Sequence, residues 1–351
     1  VAEVVIRPIR NDDFPDMYEM RTQPNVMWGT LQIPTIPREI IQSQCGYQAN
    51  NYQFVAEVDG KAVGGCGLHL STSLRSRHVA GLGITVHDAY QGRGLGRRLM
   101  LAALDLADNY LGLERVDLDV YIDNPRAISL YESLGFEDEG VIPRLALRDG
   151  EFVDAMQMSR LRGRAAAAPR TPAPAALQAP SKGSRPADLT IRTVRPEDIR
   201  ALYFLCLQPS SLANLDRHSA LHPDEIRKEI TGLMWGQHFV VAESGGQVIG
   251  AAYMQQARPG RRGHEGFVQW FAVDEAWQGR GVGTALLEFI VNLADRWINI
   301  RQLELDVPAD DAPAIAVARK LGFETAAVLR AAYFRAGQFV DVCLMSRQGT
   351  L

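Results

Sequence analysis

Six residues, Gln91-Gly92-Arg93-Gly94-Leu95-Gly96, return as Gln278-Gly279-Arg280-Gly281-Val282-Gly283. In the first copy a strand-like apolar run precedes the glycines. Leu95, Leu99, Ala102, Ala103, Leu106 and Tyr110 follow at helical spacing. Glycine lets a backbone turn tightly and approach a ligand closely. The N–H groups at a helix start, aided by the helix dipole, favour phosphate. Arg93 and Arg280 each add a cation. The chemistry offered is a cradle for a pyrophosphate. It is not a P-loop, because no Gly-Lys-Ser/Thr follows. It is a poor dinucleotide fingerprint, because the third glycine comes too early and the preceding strand lies late in its domain. Metal chemistry has no sequence support. There is no H-E-x-x-H, and Cys45, Cys66, Cys206 and Cys343 are far apart with no C-x-x-C. A metal-free protein without a disulfide framework is expected.

The elements that hold these loops are themselves repeated. At the same offset Leu134-Gly135-Phe136-Glu137 becomes Leu321-Gly322-Phe323-Glu324, and Phe152-Val153-Asp154 becomes Phe339-Val340-Asp341. Residues 86–160 and 273–347 align without a gap at 30 identities in 75 positions, far above chance. Two repeats of this length are two domains rather than a solenoid. The expected organisation is a domain over 1–162, a linker over 163–187 and a second domain over 188–351. The linker is rich in Ala and Pro and carries Arg164, Arg170, Lys182 and Arg185 with no acid. It reads as an extended, solvated tether. Within a copy the patterns predict a strand at Val4-Val5-Ile6 and a short helix after Asn11-Asp12-Asp13. An irregular helical stretch near 37–48 precedes strands over 52–58, 62–68 and 78–86. The helix after the glycines, a strand over 115–121 and a helix opened by Pro125 come next. Two closing strands turn at Arg148-Asp149-Gly150. The fold class is α/β, a mixed sheet with flanking helices.

The pattern Q-G-x-G-x-G after a strand end, followed by D-N-x-x-A-x-x-x-Y-x-x-x-G-F, resembles the GNAT superfamily of acyl-CoA-dependent N-acetyltransferases. The resemblance spans both copies. In the first copy Thr30-Leu31-Gln32-Ile33-Pro34, Arg77-His78-Val79-Ala80 and 146–155 are similar to a bacterial branch that acetylates free L-amino acids. The resemblance implies acetyl-CoA as co-substrate. It implies that Gln91, Gly92, Arg93, Gly94, Leu95 and Gly96 bind the CoA pyrophosphate, with Gln278, Gly279, Arg280, Gly281, Val282 and Gly283 in the same role. It further implies that Ile84 and Val86 lie beside the acetyl group, where strand amides can polarise a carbonyl. Asn124 would contact the pantetheine arm, and Tyr131 would be the acid for the leaving thiolate, since phenol and thiol pKa values lie near one another. No general base stands out. His78, His87 and Glu57 are candidates, and water serves equally well. Asp154, Arg75 and Arg77 are candidates for the acceptor's charged ends.

The second copy has Ala318 in place of Tyr131, Asp311 in place of Asn124 and Trp270 in place of Gly83. It is expected to be catalytically degenerate. The leading function is acetyl transfer to the primary amine of a small, amino-acid-like molecule by direct attack in a ternary complex. The alternatives are a tandem acetyltransferase of specialised metabolism or antibiotic resistance, or a protein-acetylating enzyme with a regulatory second domain. A net charge of −4 over 351 residues argues against nucleic acid as a partner. No apolar run approaches the roughly 18 residues of a membrane helix, and residues 1–7 do not read as a secretory signal. A cytoplasmic monomer or homodimer is expected.

Overall fold

A computed structural model describes residues 3–46, 48–172, 183–215 and 220–349. Val1, Ala2 and the centre of the tether with Lys182 lie outside these. The chain forms two compact units, Val1–Ala168 and Pro169–Leu351, each described by itself.

The first unit runs β1 (Val4–Pro8), α1 (Phe14–Arg21), α2 (Pro24–Trp28), α3 (Arg38–Gln44), β2 (Asn51–Val58), β3 (Lys61–Leu70) and β4 (Val79–Val86). It continues α4 (Leu95–Asn109), β5 (Arg115–Tyr121), α5 (Pro125–Glu132), β6 (Glu137–Arg148), β7 (Glu151–Leu161) and α6 (Gly163–Ala167). Its strands lie in the order β1-β2-β3-β4-β5-β7-β6. Neighbours are antiparallel except β4 and β5, which are parallel and pair only from Val79↔Arg115 to Gly81↔Asp117. Beyond Gly81 the two strands part.

Helices cover both faces of this sheet. Leu95, Leu99, Met100, Ala103, Leu104 and Ala107 form the buried stripe of α4. Most of it packs with Leu68, Ala80, Leu82, Val116 and Leu118. Met17, Met20, Val26 and Ile41 pack with Val55 and Ala62. Strand β3 lies between these layers, which explains its glycines. A Cβ on Gly64 would come within 2.9 Å of Leu99, and one on Gly65 within 2.9 Å of Met17.

The second unit repeats the plan: β8 (Thr190–Thr193), α7 (Ile199–Cys206), α8 (Pro209–Asn214), α9 (Pro223–Thr231), β9 (Gln237–Ser244), β10 (Gln247–Gln256) and β11 (Glu265–Val273). Then follow α10 (Val282–Arg296), β12 (Gln302–Pro308), α11 (Ala312–Lys320), β13 (Glu324–Arg335) and β14 (Gln338–Gln348). Its strand order is β8-β9-β10-β11-β12-β14-β13, with β11 and β12 parallel from Glu265↔Gln302 to Val268↔Leu305. The mixed α/β architecture with flanking helices is the one expected.

The same ion pairs brace each unit. Arg7 reaches Asp13 and Glu57, as Arg192 reaches Asp198 and Glu243. Arg160 grips Asp108 as Arg347 grips Asp295. Three features depart from the tether reading of 163–187. Residues 163–167 are helical, Ala165 is buried, and Arg164 pairs with Glu114 at 2.9 Å. Short helices α2 and α8 carry no sequence periodicity, so patterning did not foretell them.

Candidate active site

Both glycine loops fold as a tight turn into a helix. Gly92 and Gly94 have φ of +81° and +77°, and Gly279 and Gly281 have +73° and +77°. Such values exclude most other residues without strain. Helix α4 starts at Leu95 with Gly94 as its cap residue and no side-chain cap bond. Its first N–H groups are therefore offered outward. A Cβ on Gly94 would meet nothing within 4 Å. Leu95 is buried in the core, so its part in the cradle is its backbone. Gln91 shapes the loop, its Nε2 donating to the Val86 carbonyl at 3.1 Å. Arg93 folds back, 5.1 Å above the Tyr90 ring and donating to the Ala89 carbonyl. Sequence reasoning missed Arg126, whose guanidinium lies 3.6 Å from the Cβ position of Gly92 and donates to Gln91 at 3.3 Å. It stands at an unremarkable helix position, and only the fold brings it to the loop.

The second loop has the same frame. Gln278 donates to the Val273 carbonyl at 3.1 Å, and Arg280 lies 5.2 Å above Trp277. Val282 is buried. Pro313 stands where the first unit has Arg126. Arg185 lies beside Gly281 instead, its Nε 3.7 Å from the Cβ position, and pairs with Glu288 at 2.9 Å. That end of the linker is pinned rather than freely solvated.

Where β4 leaves β5, the first unit holds a cavity of about 570 Å³. Leu82, Gly83, Ile84 and Thr85 of β4 form one wall, with Asp119, Val120 and Tyr121 of β5. The register leaves backbone groups of β4 beyond Gly81 without a β5 partner. Gly81 and Gly83 meet nothing within 4 Å of an added Cβ. Val86 ends the strand and packs on the α4 side with Ile84. Tyr131 and Asn124 line the cavity as well. Asn124 caps α5, its Oδ1 accepting from the Ala127 N–H at 3.2 Å. Tyr131 is buried, and that burial, with Cys66 adding, pushes its phenol well above the ordinary value. The expected match with a thiol pKa is therefore not met. The phenol stays protonated.

The cavity also contains Arg21, at the end of α1, and His69, near the end of β3. Neither stood out in the sequence. His69 is exposed towards the cavity, and its Nε2 lies 3.4 Å from the Cβ position of Gly67. Gly67 pairs with Gly83 across the strands. Burial and the nearby Arg21 charge lower the imidazole pKa below 6.5, so it is mostly neutral at pH 7. The weighed base candidates lie elsewhere: Glu57 pairs with Arg7, while His87 caps a 3-10 turn and faces Glu19. His78 does not line the cavity, and neither do Arg75, Arg77 or Asp154. Asp154 instead accepts from the Arg144 N–H at 2.7 Å and holds a bulge in β6. Arg148 does more than serve its hairpin turn. It stacks 4.1 Å above Trp28 and pairs with Asp123, while Tyr121 donates to the Thr30 carbonyl at 3.1 Å. Together they hold segment 29–32 on the cavity.

In the second unit the matching space is filled. Register and offset put Phe239, Tyr253 and Trp270 where the first unit has Gln53, Gly67 and Gly83. Phe239 and Trp270 stack edge-on at 4.5 Å, and Phe239 and Tyr253 at 5.7 Å. Cys206 replaces Arg21, and buried Ala318 replaces Tyr131. Asp311 caps α11 as Asn124 caps α5.

A twice-used sheet that parts beside a glycine-led helix defines an acyl-CoA-binding acyltransferase class. Residues 9–136 and 201–323 match the acetyltransferase (GNAT) family model, and the chain belongs to that family. It is an N-acetyltransferase that uses acetyl-CoA. The first region resembles the L-amino acid N-acetyltransferase AaaT of Escherichia coli K12. Identity is 35% over 162 residues, all of that protein and 46% of this chain. The spermidine N(1)-acetyltransferase of Escherichia coli K12 is 26% identical over 161 residues, 84% of its length and 44% of this chain. Among solved structures, a Vibrio cholerae spermidine N-acetyltransferase in complex with CoA and spermine is similar, at 25% identity and TM-score 0.41. That match covers 95% of its chain and 45% of this one. Among the described residues no cluster of His, Cys, Asp and Glu could hold a metal, and no helix is long and apolar enough to cross a membrane.

Proposed function

We propose that the first unit moves the acetyl group of acetyl-CoA to the primary amine of a small, amino-acid-like molecule, within a ternary complex. The second unit, a degenerate domain beyond the linker, keeps a pyrophosphate cradle and has lost the reaction. One observation carries this reading. The first unit has a roomy cavity reaching Tyr131, His69 and the parted strands, and an aromatic row fills its counterpart.

The residues then divide the work. The N–H groups of 92–96, with Arg93 and Arg126, hold the pyrophosphate, and Gln91 keeps the loop in shape. Asn124 offers its Nδ2 to the pantetheine arm. The open backbone of Ile84 to Val86 donates to the thioester oxygen as charge builds there. His69 takes the proton of the attacking amine. Tyr131 donates to the leaving sulfur. In the second unit Gln278 to Gly283, with Arg280 and Arg185, hold a pyrophosphate, and the aromatic row stands where the first unit has its acceptor space. The similarity of the first region to an L-amino acid N-acetyltransferase supports the acceptor class.

The test is acetyl-CoA-dependent thiol release by the whole chain against twenty L-amino acids, polyamines and amine antibiotics. Turnover concentrated on amino acids is expected. Turnover of polyamines alone, or silence from a protein that still binds acetyl-CoA, overturns the acceptor class.

A further inference from the structure

Arg7, Arg115, Arg160, Arg192 and Arg347 are largely buried, and each meets at least one carboxylate. Arg21 is different. It is half-buried in the wall of the cavity, and it donates to the neutral side-chain oxygen of Gln44. No carboxylate of the described residues pairs with it. Burial holds its pKa below the ordinary value, opposed by the nearby Cys45 thiol and by no carboxylate, yet a guanidinium stays charged there. Its place at the C-terminus of α1 favours a cation, but does not explain why the cation turns to the cavity.

Two further groups in the same wall lack partners of the opposite kind. Gln32 Oε1 and Asn51 Oδ1 are buried with no donor among the described residues. Buried polar atoms without partners call for an explanation. The cavity therefore presents a cation with free donors, and acceptors with no donor. A zwitterion supplies both complements, a carboxylate and an N–H-rich amine. The second unit is an internal control: where the aromatic row fills the space, Cys206 stands in the arginine's place.

We infer that Arg21 is a specificity-determining residue that binds the carboxylate of a free amino acid and so aims its amine at the parted strands. This rests on the reading of the first unit as the acetyltransferase for amino-acid-like acceptors. Arg21 recognises the acceptor and takes no part in the proton transfers. A planar, charge-assisted fork discriminates strongly against an acceptor lacking its anion.

The experiment compares, in the full-length protein, the best amino acid of the panel with its primary amide and its decarboxylated amine. The acid should have a KM at least about tenfold below both analogues, with kcat similar. Arg21→Gln should raise the acid's KM to that of the amide while leaving the amide's KM and the acetyl-CoA KM unchanged. Arg21→Lys should restore part of the difference. Equal KM values for acid and amide in the wild type overturn the inference while leaving amine acetylation intact, and that comparison needs no variant. Discrimination that survives Arg21→Gln overturns it too. If neither acid nor amide is acetylated, the acceptor class itself has failed.

Discussion

In the proposed reaction Tyr131 and His69, which line one cavity, have opposite tasks. Tyr131 is held neutral by burial, so Tyr131→Phe removes a donor without adding a charge. We expect kcat to fall about 10²- to 10⁴-fold with little change in acetyl-CoA affinity, read from steady-state kinetics and a binding isotherm. His69 must be neutral to accept a proton, and its pKa lies below 6.5. The groups around it in the cavity are Arg21 from α1, Cys66 from β3, Asp119 and Tyr121 from β5, and Tyr131 from α5. Activity should therefore hold at neutral pH and fall with acid along a limb below 6.5. Arg21→Gln removes one cause of the lowering, so the limb should move up in pH, and His69→Asn should abolish it. A limb unmoved in both variants removes His69 from the reaction. Tyr131 and Asn124 were legible in the sequence because they share a helix with a recognisable spacing. Arg21 and His69 were not. They lie 48 positions apart in the chain, and only the packing of α1 on β3 brings them together.

At the scale of elements, glycine on β4 leaves open the space proposed for the acceptor. Gly83 meets nothing within 4 Å and has no unusual backbone angle. Gly83→Trp, the residue of the second unit, should fill the cavity while the fold remains. We expect amine acetylation to drop at least about a hundredfold, with acetyl-CoA still bound, by calorimetry on the variant. Unchanged turnover would move the acceptor elsewhere. Strong patterns placed the long elements well: β5 runs Arg115–Tyr121 and α4 begins at Leu95, as periodicity requires. Helices α2 and α6 have five residues each. Such a segment shows no period, and its shape is set by contacts with distant chain, such as Ala165 N–H to Glu114.

Across the whole molecule, the duplication was readable from a fixed offset, and the frame it specifies is intact twice. The two units differ chiefly at the cavity positions and at Arg126, which is Pro313 in the second unit, and sequence alone could compare these positions but not place them together. The two loops should therefore respond unequally. Gly94→Ala puts a side chain on a left-handed residue that faces open space, and should raise the acetyl-CoA KM about tenfold. Gly281→Ala should leave turnover unchanged. Equal losses in the two variants would assign a working centre to each unit.

The row Phe239–Tyr253–Trp270 also has a historical meaning. Each ring now holds up its neighbours, so reverting any one to its small or polar counterpart opens a hole. Cutting a buried aromatic back costs about 3–5 kcal/mol, against a total near 5–15 kcal/mol for a domain. Stepwise return to an open pocket therefore passes through intermediates that have given up a large share of the domain's stability. On the proposed reading of the second unit as degenerate, the loss behaves as a ratchet, and the repeat is free to evolve new roles but barred from its old one.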